Sequence, residues 1–343
     1  MKVKKVSVCI PVFGTEQYLE QCLSSVKDQT FTDYEVIVVN DGGTGVDSQG
    51  NCCKKIIKSI KKKYKLPINY IEHSENKGLL EARRTAVYAA TGDYIFNLDS
   101  DDKLPADALE NLYNVAVETG ADIVHGKGEL FSAGDVEIPS DLTKEAVLKN
   151  KETKLKKITN VYMGEINGSD IFNGYLVEKN HCGFLWGKLY KRELYLEAFD
   201  KIPPMFCTMA EDVIQYFWLT YFAKKYVGID KCVYEYCDNT GVTSNKTIDN
   251  LEKWEQVCSV ASVFTAIYTS LEELNVELGE KQRERISKLC CYYVGNNLQQ
   301  LNGTVVPELK KDAYNILCDY WGASFVSKIE AKLKEKESNN EKK

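Results

Sequence analysis

The feature that most limits the fold of this 343-residue chain is the alternation, in its first third, of short apolar runs with stretches of helical period. Residues 6–10 form a continuous apolar run, which suits a strand buried on both faces. Residues 16–27 then place Leu19, Cys22, Leu23 and Val26 on one side of a helix. The pattern repeats with strands at 35–39, 68–71 and 94–98 and helices at 56–64 and 79–90, the last closed by Gly92. A helix opened by Pro105 runs to about residue 119, proline being well tolerated in a first turn. Such alternation predicts an α/β domain built on a largely parallel sheet.

Beyond residue 120 the pattern loosens. Strand-like pieces occur at 122–124 and 231–236, and one strong helix is expected at 211–225. From 251 onward the period is helical (251–274, 280–300, 307–319), and the lysine- and glutamate-rich stretch 333–343 is expected to fray.

Composition narrows the setting. Hydrophobic residues at 44% and charged residues at 27% are ordinary for a globular protein, and a net charge of −6 argues against nucleic acid as partner. Seven lysines and no acid lie between Lys54 and Lys65, and 149–157 is also basic. Such faces suit solvent, or contact with an anionic membrane surface from one side. The lysines and apolar run of MKVKKVSVCIPVFG resemble a signal peptide, but the run is short and contains Pro11, so a first strand is expected. The apolar run 213–223 is too short to span a bilayer. The twelve cysteines include no CxxC pair, only the adjacent pairs Cys52-Cys53 and Cys290-Cys291, which suits reduced thiols packed as small hydrophobes. The expected location is cytoplasmic, with room for peripheral contact at the cytoplasmic membrane face.

In open α/β sheets, ligands bind beyond the carboxyl ends of the strands. Two of these ends carry acid: Asp41 after the second strand, and Asp99, Asp101 and Asp102 after the fourth. A lone strand-end carboxylate can cap the next helix, as Asp102 can ahead of Pro105. Three carboxylates in four residues repel one another unless a cation sits among them, and Mg²⁺ or Mn²⁺ takes oxygen ligands. No G-x-G-x-x-G or P-loop follows the first strand, where Cys9-Ile10-Pro11-Val12-Phe13-Gly14 stands, which argues against a dinucleotide dehydrogenase or a P-loop kinase. Glu211-Asp212 opens the apolar helix VIQYFWLTYF. The helix dipole favours acids there, and a rigid carboxylate at a cleft edge suits a general base.

Taken in order, VSVCIPVFGTEQYLEQCLSSVKDQTFTDYEVIVVNDGGT, SENKGLLEARRTAVYAATGDYIFNLDSDD, FLWGKLYKRELY and AEDVIQYFW resemble glycosyltransferase family 2, an inverting family of GT-A fold. The resemblance is continuous over about the first 125 residues and returns in patches to about 245. It implies a nucleotide-sugar-binding half at 1–126, an acceptor-binding and catalytic half at 127–250, and a helical C-terminal extension at 251–343. Pro11 and Phe13 would border the nucleobase, Phe13 standing where the family usually has tyrosine. Asp41 would accept from the base, as suits the N3–H of uracil. Asn76, Gly78 and Arg83 match the N-x-G-x-x-x-A-R element. Asp99 and Asp101 match the DxD motif, with Asp99 and Ser100 near the donor and Asp101, helped by Asp99, as metal ligand. Asp212, with Glu211, matches the catalytic ED pair, and Trp186 and Lys188 match an element beside the acceptor cleft. Gly14, Gly43, Gly45 and Arg84 depart from the family pattern.

The resemblance thus implies an inverting, metal-assisted transfer of a sugar from a nucleotide-sugar, a UDP-sugar by family weight, to a hydroxyl of a glycan or lipid-linked saccharide. One base opposite the leaving group predicts single displacement, whereas a glycosidase needs a general acid and a second carboxylate. The alternatives are an inactive GT-A scaffold in a glycan-assembly complex and a sugar nucleotidyltransferase. The latter typically carries a glycine-rich basic loop after the first strand, which this chain lacks. The helical C-terminal third is open to homo-oligomerisation, membrane docking or packing on the catalytic domain.

Overall fold

The computed structural model describes residues 4–132, 144–207, 209–238 and 247–340. It contains two compact units, one of Met1–Lys201 and Gln215–Val242, the other of Ile202–Ile214 and Thr243–Lys343.

The first unit carries one eight-stranded sheet. Its elements are β1 (Val6–Val12), α1 (Glu16–Lys27), β2 (Tyr34–Asn40), α2 (Cys53–Tyr64), β3 (Ile68–Glu72), α3 (Leu79–Ala89), β4 (Tyr94–Asn97), α4 (Ala108–Thr119), β5 (Ile123–Phe131), α5 (Lys144–Ile158), β6 (Gly164–Asn167), α6 (Ser169–Asn173), β7 (Lys188–Lys191), α7 (Arg192–Asp200), α8 (Glu211–Phe222) and β8 (Lys225–Cys237). Helix α8 crosses the division between the units after Ile214. Strand order is β3-β2-β1-β4-β7-β5-β8-β6. β1 is buried at all seven positions, as its unbroken apolar run requires, and it pairs in parallel with β2 and β4. The chain winds outward from β1 through β2 to β3, then crosses to the other side at β4. That reversal is a topological switch point, and the strand ends beside it are where an open sheet binds ligands.

The sheet is mixed where a largely parallel one was expected. β7 runs antiparallel to both β4 and β5, and β6 antiparallel to β8. β6 and β7 have four residues each, too few for a readable period. α5, α6 and α7 were likewise absent from the expected elements, α8 stops at Phe222 instead of 225, and β8 runs from Lys225 where a strand at 231–236 was expected. A boundary at 126 falls inside β5, so the two expected halves share one sheet. β5 and β8 approach closely across a register shift, and a Cβ on Gly126 would meet Val233 at 2.6 Å.

Behind β5, β7 and β8 lies a buried polar cluster. His125 Nδ1 pairs with the Tyr226 hydroxyl at 2.8 Å, and its Nε2 lies 3.5 Å from Cys182 Sγ. His181 Nδ1 pairs with the Tyr216 hydroxyl at 2.9 Å. Lys188, fully buried, donates to the Phe184 carbonyl and lies 4.8 Å from the centre of the Tyr216 ring. Burial, then the Lys188 charge, holds His181 down to about 4, and the same causes with His181 push His125 well below the usual range. Both imidazoles are therefore neutral at pH 7.

The second unit is helical: α9 (Leu251–Cys258), α10 (Val260–Glu273), α11 (Glu280–Gly303), α12 (Lys310–Trp321) and α13 (Ala323–Asn340). The single helix expected at 251–274 is divided at Ser259, and Asn250 caps α9 by accepting from Lys253 N–H at 2.9 Å. Trp254, Leu298, Leu317 and Val326 centre its own core, with Trp254 Nε1 donating to the Ala313 carbonyl at 2.7 Å. Helix continues through Asn340 where fraying was expected, and 341–343 lie outside the described residues. No helix among the described residues is long and apolar enough to cross a membrane.

The neutral histidines predict a pH dependence. Between about 6.5 and 4 the unfolded chain takes a proton on His181 that the folded chain refuses, so stability falls as pH falls through that window. The slope from His181 alone is about 1.4 kcal/mol per pH unit. Urea midpoints at pH 7, 6 and 5 check this, and His181→Gln is expected to flatten the decline.

Candidate functional site

The acidic segment leaves β4 at Asn97, where Leu98 N–H donates to the Cys9 carbonyl of β1 at 3.0 Å. A turn then brings Asp102 N–H to the Asp99 carbonyl at 3.1 Å. Asp102 points inward and is 2% exposed. Its Oδ2 accepts from the Tyr234 hydroxyl at 2.6 Å and its Oδ1 from Cys237 N–H at 2.7 Å, both on β8. The same Tyr234 oxygen accepts Asp99 N–H at 3.1 Å, so one buried phenol ties two residues of the loop together. Tyr234 is held in turn by Trp186, stacked at 4.5 Å and 15°, with Phe184 on Trp186 at 4.7 Å and 8°.

Burial first, then the charges of Asp99 and Asp101, raise Asp102 well above the usual carboxylate range. That shift favours its neutral form and lessens the crowding of charge beside Asp99 and Asp101. Asp99 Oδ1 takes a second relief in Arg83, whose Nη2 donates at 2.7 Å from α3. Ser100 is buried, with its hydroxyl 2.6 Å from that of Thr15. Asp101 is half-buried.

Among the described residues no group of three or more His, Cys, Asp or Glu side chains converges as a metal cage. Mg²⁺ characteristically binds through one or two carboxylates and completes its shell with water and substrate phosphate. Asp101 and the partly exposed Asp99 fit such an ion. Asp102, with both oxygens engaged, does not.

The second strand-end carboxylate lies past β2. Asp41 N–H donates to the Val12 carbonyl of β1 at 3.0 Å, and the side chain is nearly buried. Its Oδ1 meets His73 Nδ1 at 2.6 Å and Lys77 N–H at 3.0 Å, while His73 Nε2 lies 2.9 Å from the Thr85 hydroxyl of α3. Gly42 has φ +68°, and a Cβ there would stand 2.3 Å from Glu75 C, so only glycine fits. Phe13 is 43% exposed beside this loop, its ring 3.5 Å from where a Gly43 Cβ would lie, and Pro11 is buried in β1. Asn76 Oδ1 accepts Gly78 N–H at 2.9 Å, fixing the entry to α3, which Gly78 opens at φ +87°. Glu16 fills the space beside Gly45, where a Cβ would stand 2.0 Å from its Oε2.

The structure thus gathers Pro11, Phe13, Asp41, Asn76, Gly78, Arg83, Asp99, Ser100 and Asp101 along the carboxyl edge of the parallel strands and the loops leading from it. Glu211 and Asp212 belong to the second unit, in the first turn of α8 after Ala210 at φ +61°. Glu211 is 8% exposed and Asp212 half-buried. Trp186 and Lys188, expected at an acceptor cleft, are both buried, in the Tyr234 stack and the histidine cluster. Sequence reasoning missed His73, Tyr234 and Glu16. A histidine directly past β3, beside an acid directly past β2, was the one available signal.

The pattern of glycosyl transferase family 2 matches residues 7–206. The chain belongs to that family. The match stops short of Glu211 and Asp212. Named relatives include "Glycosyltransferase GlyA" of Streptococcus pneumoniae, 32% identical over 191 residues, which are 56% of this chain and 25% of that protein. "Poly(ribitol-phosphate) beta-N-acetylglucosaminyltransferase TarP" of Staphylococcus aureus is 31% identical over 185 residues, 53% of each chain. The chain therefore spans about half or less of the length of these relatives. The solved structure of S. aureus TarS 1-349 in complex with UDP-GlcNAc superposes with a TM-score of 0.52 over 93% of this chain and 89% of that one, at 17% identity, which shows a shared fold.

In this family 2 chain, Tyr234→Phe is expected to leave Asp99 N–H and Asp102 Oδ2 without their shared partner at a cost of about 1–3 kcal/mol. A lowered urea midpoint with unchanged slope would show it. An unchanged midpoint would mean that the phenol contributes nothing to the loop.

Proposed function

We propose that this chain transfers a sugar from a UDP-sugar to a hydroxyl of a glycan or lipid-linked saccharide, with inversion. The reading rests above all on the pair of carboxylates, Asp99 and Asp101, left partly open at the switch point of the sheet while Asp102 is turned inward. It is supported by TarP and by the "Poly(ribitol-phosphate) beta-glucosyltransferase" of Bacillus spizizenii, 39% identical over 126 residues, whose names specify transfer of N-acetylglucosamine and glucose. It is supported also by TarS, solved with UDP and with UDP-GlcNAc.

In this reading the exposed Phe13 ring offers a face for the nucleobase, and Asp41 accepts its ring N–H. Arg83 holds Asp99 by a direct ion pair, which keeps the carboxylate loop in one arrangement for the donor. Asp101, assisted by Asp99, would hold Mg²⁺ or Mn²⁺, which supplies Lewis-acid stabilisation to the departing diphosphate. Asp212 takes the proton of the acceptor hydroxyl, and its place in a first helical turn limits the freedom of that carboxylate. With Asp212 as the base opposite the leaving group, the displacement is single.

Asp212→Asn is expected to lower transfer by on the order of 10²–10⁴ while UDP-sugar binding stays within a few-fold. Transfer within a few-fold of wild type would remove Asp212 as the base. Asp101→Asn is expected to abolish the gain in UDP affinity that Mn²⁺ gives. Calorimetry showing equal UDP affinity with and without chelator in the wild-type protein would remove the metal from the mechanism.

A further inference from the structure

Asp41 is nearly buried, yet its two oxygens face different surroundings. Oδ1 takes both protein donors, the ring of His73 at 2.6 Å and the Lys77 amide at 3.0 Å. Oδ2 has no donor among the described residues, and it is not one of the buried oxygens left without a partner, so it reaches the surface. The imidazole is itself fixed from both sides. Its Nε2 faces the Thr85 hydroxyl at 2.9 Å, and its backbone N–H donates to the Asn40 carbonyl at 2.9 Å. A carboxylate oxygen can only accept, so the proton shared with Asp41 sits on Nδ1, which leaves Nε2 of a neutral ring to accept from the Thr85 hydroxyl. Asp41 thus sets which nitrogen carries the proton, and Thr85 complements that choice on the far side of the ring.

We infer that His73 is a positioning residue that selects the nucleobase through Asp41. By occupying Oδ1 it turns the carboxylate so that Oδ2 alone is presented, an acceptor with no proton to give. Such an oxygen accepts a ring N–H, as uracil offers at N3, and repels a ring nitrogen with a lone pair, as cytosine offers there. A carboxylate free to rotate would present either oxygen at any tilt, and its discrimination would weaken. The arrangement joins three elements, since His73 follows β3, Thr85 lies on α3 and Asp41 follows β2. The inference rests on the nucleotide reading of the preceding section.

The test is calorimetric titration of the full chain with UDP and CDP in parallel, with a melting curve for each variant. Wild type is expected to prefer UDP. His73→Leu should lose roughly tenfold in UDP affinity, about one charge-assisted hydrogen bond, with little change for CDP, so that the preference collapses. His73→Asn, whose amide nitrogen can stand near the place of Nδ1, should restore most of it. A merely structural role would lower the melting temperature and weaken both nucleotides together, leaving their ratio intact, and that result in His73→Leu overturns the inference. Should His73→Leu not fold, Thr85→Val decides: a two- to fivefold narrowing of the ratio supports the relay, and an unchanged ratio in the folded variant overturns it. A wild-type protein that binds neither nucleotide overturns the nucleotide reading itself, and the wild-type titration alone tells that failure apart.

Discussion

The geometry of the acidic loop depends on one buried carboxyl group. Asp102 could have been a third charge crowding Asp99 and Asp101. It is instead drawn into the sheet, where the Tyr234 hydroxyl and the Cys237 amide take both its oxygens. Desolvation favours its neutral form. The loop is thus anchored through protein hydrogen bonds, and Asp99 and Asp101 are left nearer the surface. In the proposed reading, a divalent ion arriving with a diphosphate would meet a shape already formed, with little ordering left to be done.

The same economy appears at Asp41 and Arg83. Each functional group is held on one side by the protein so that its other side is specified. Asp41 is fixed through Oδ1, and Arg83 meets Asp99 through one nitrogen at 2.7 Å. The supporting groups come from different elements of the sheet unit: His73 past β3, Tyr234 on β8, Arg83 and Thr85 on α3. The carboxyl edge of the parallel strands is therefore rigid because several secondary elements converge on it, although most of the groups concerned sit on loops.

How much of this was legible follows from the range of the interactions. β1 to β4 and the helices between them are marked by long apolar runs and clear helical periods, so their order and the two acidic strand ends could be read directly. β6 and β7 are four residues each, and neither KLYK nor GEIN shows a period distinguishable from a loop. The antiparallel insertion of β7, which makes the sheet mixed, was invisible for that reason. The inward turn of Asp102 was equally hidden, because its partners lie 132 and 135 residues further along the chain. Lys188 shows the opposite error. A lysine in a motif suggests a surface contact, yet here the ammonium is buried against a carbonyl, a thiol and an aromatic ring. Residue type announced charge but not direction.

The clamp formed by β8 has a consequence for biosynthesis. A ribosome has released β1 to β4 and the whole acidic segment long before it adds Tyr234 and Cys237. Until then the loop has its sequence but not its anchor. The emerging polypeptide therefore carries three neighbouring carboxyl groups on an untethered segment, and these become a defined arrangement only when β8 is translated. Formation of the acidic corner therefore waits on a strand that ends 135 residues beyond Asp102, however early its own residues are encoded.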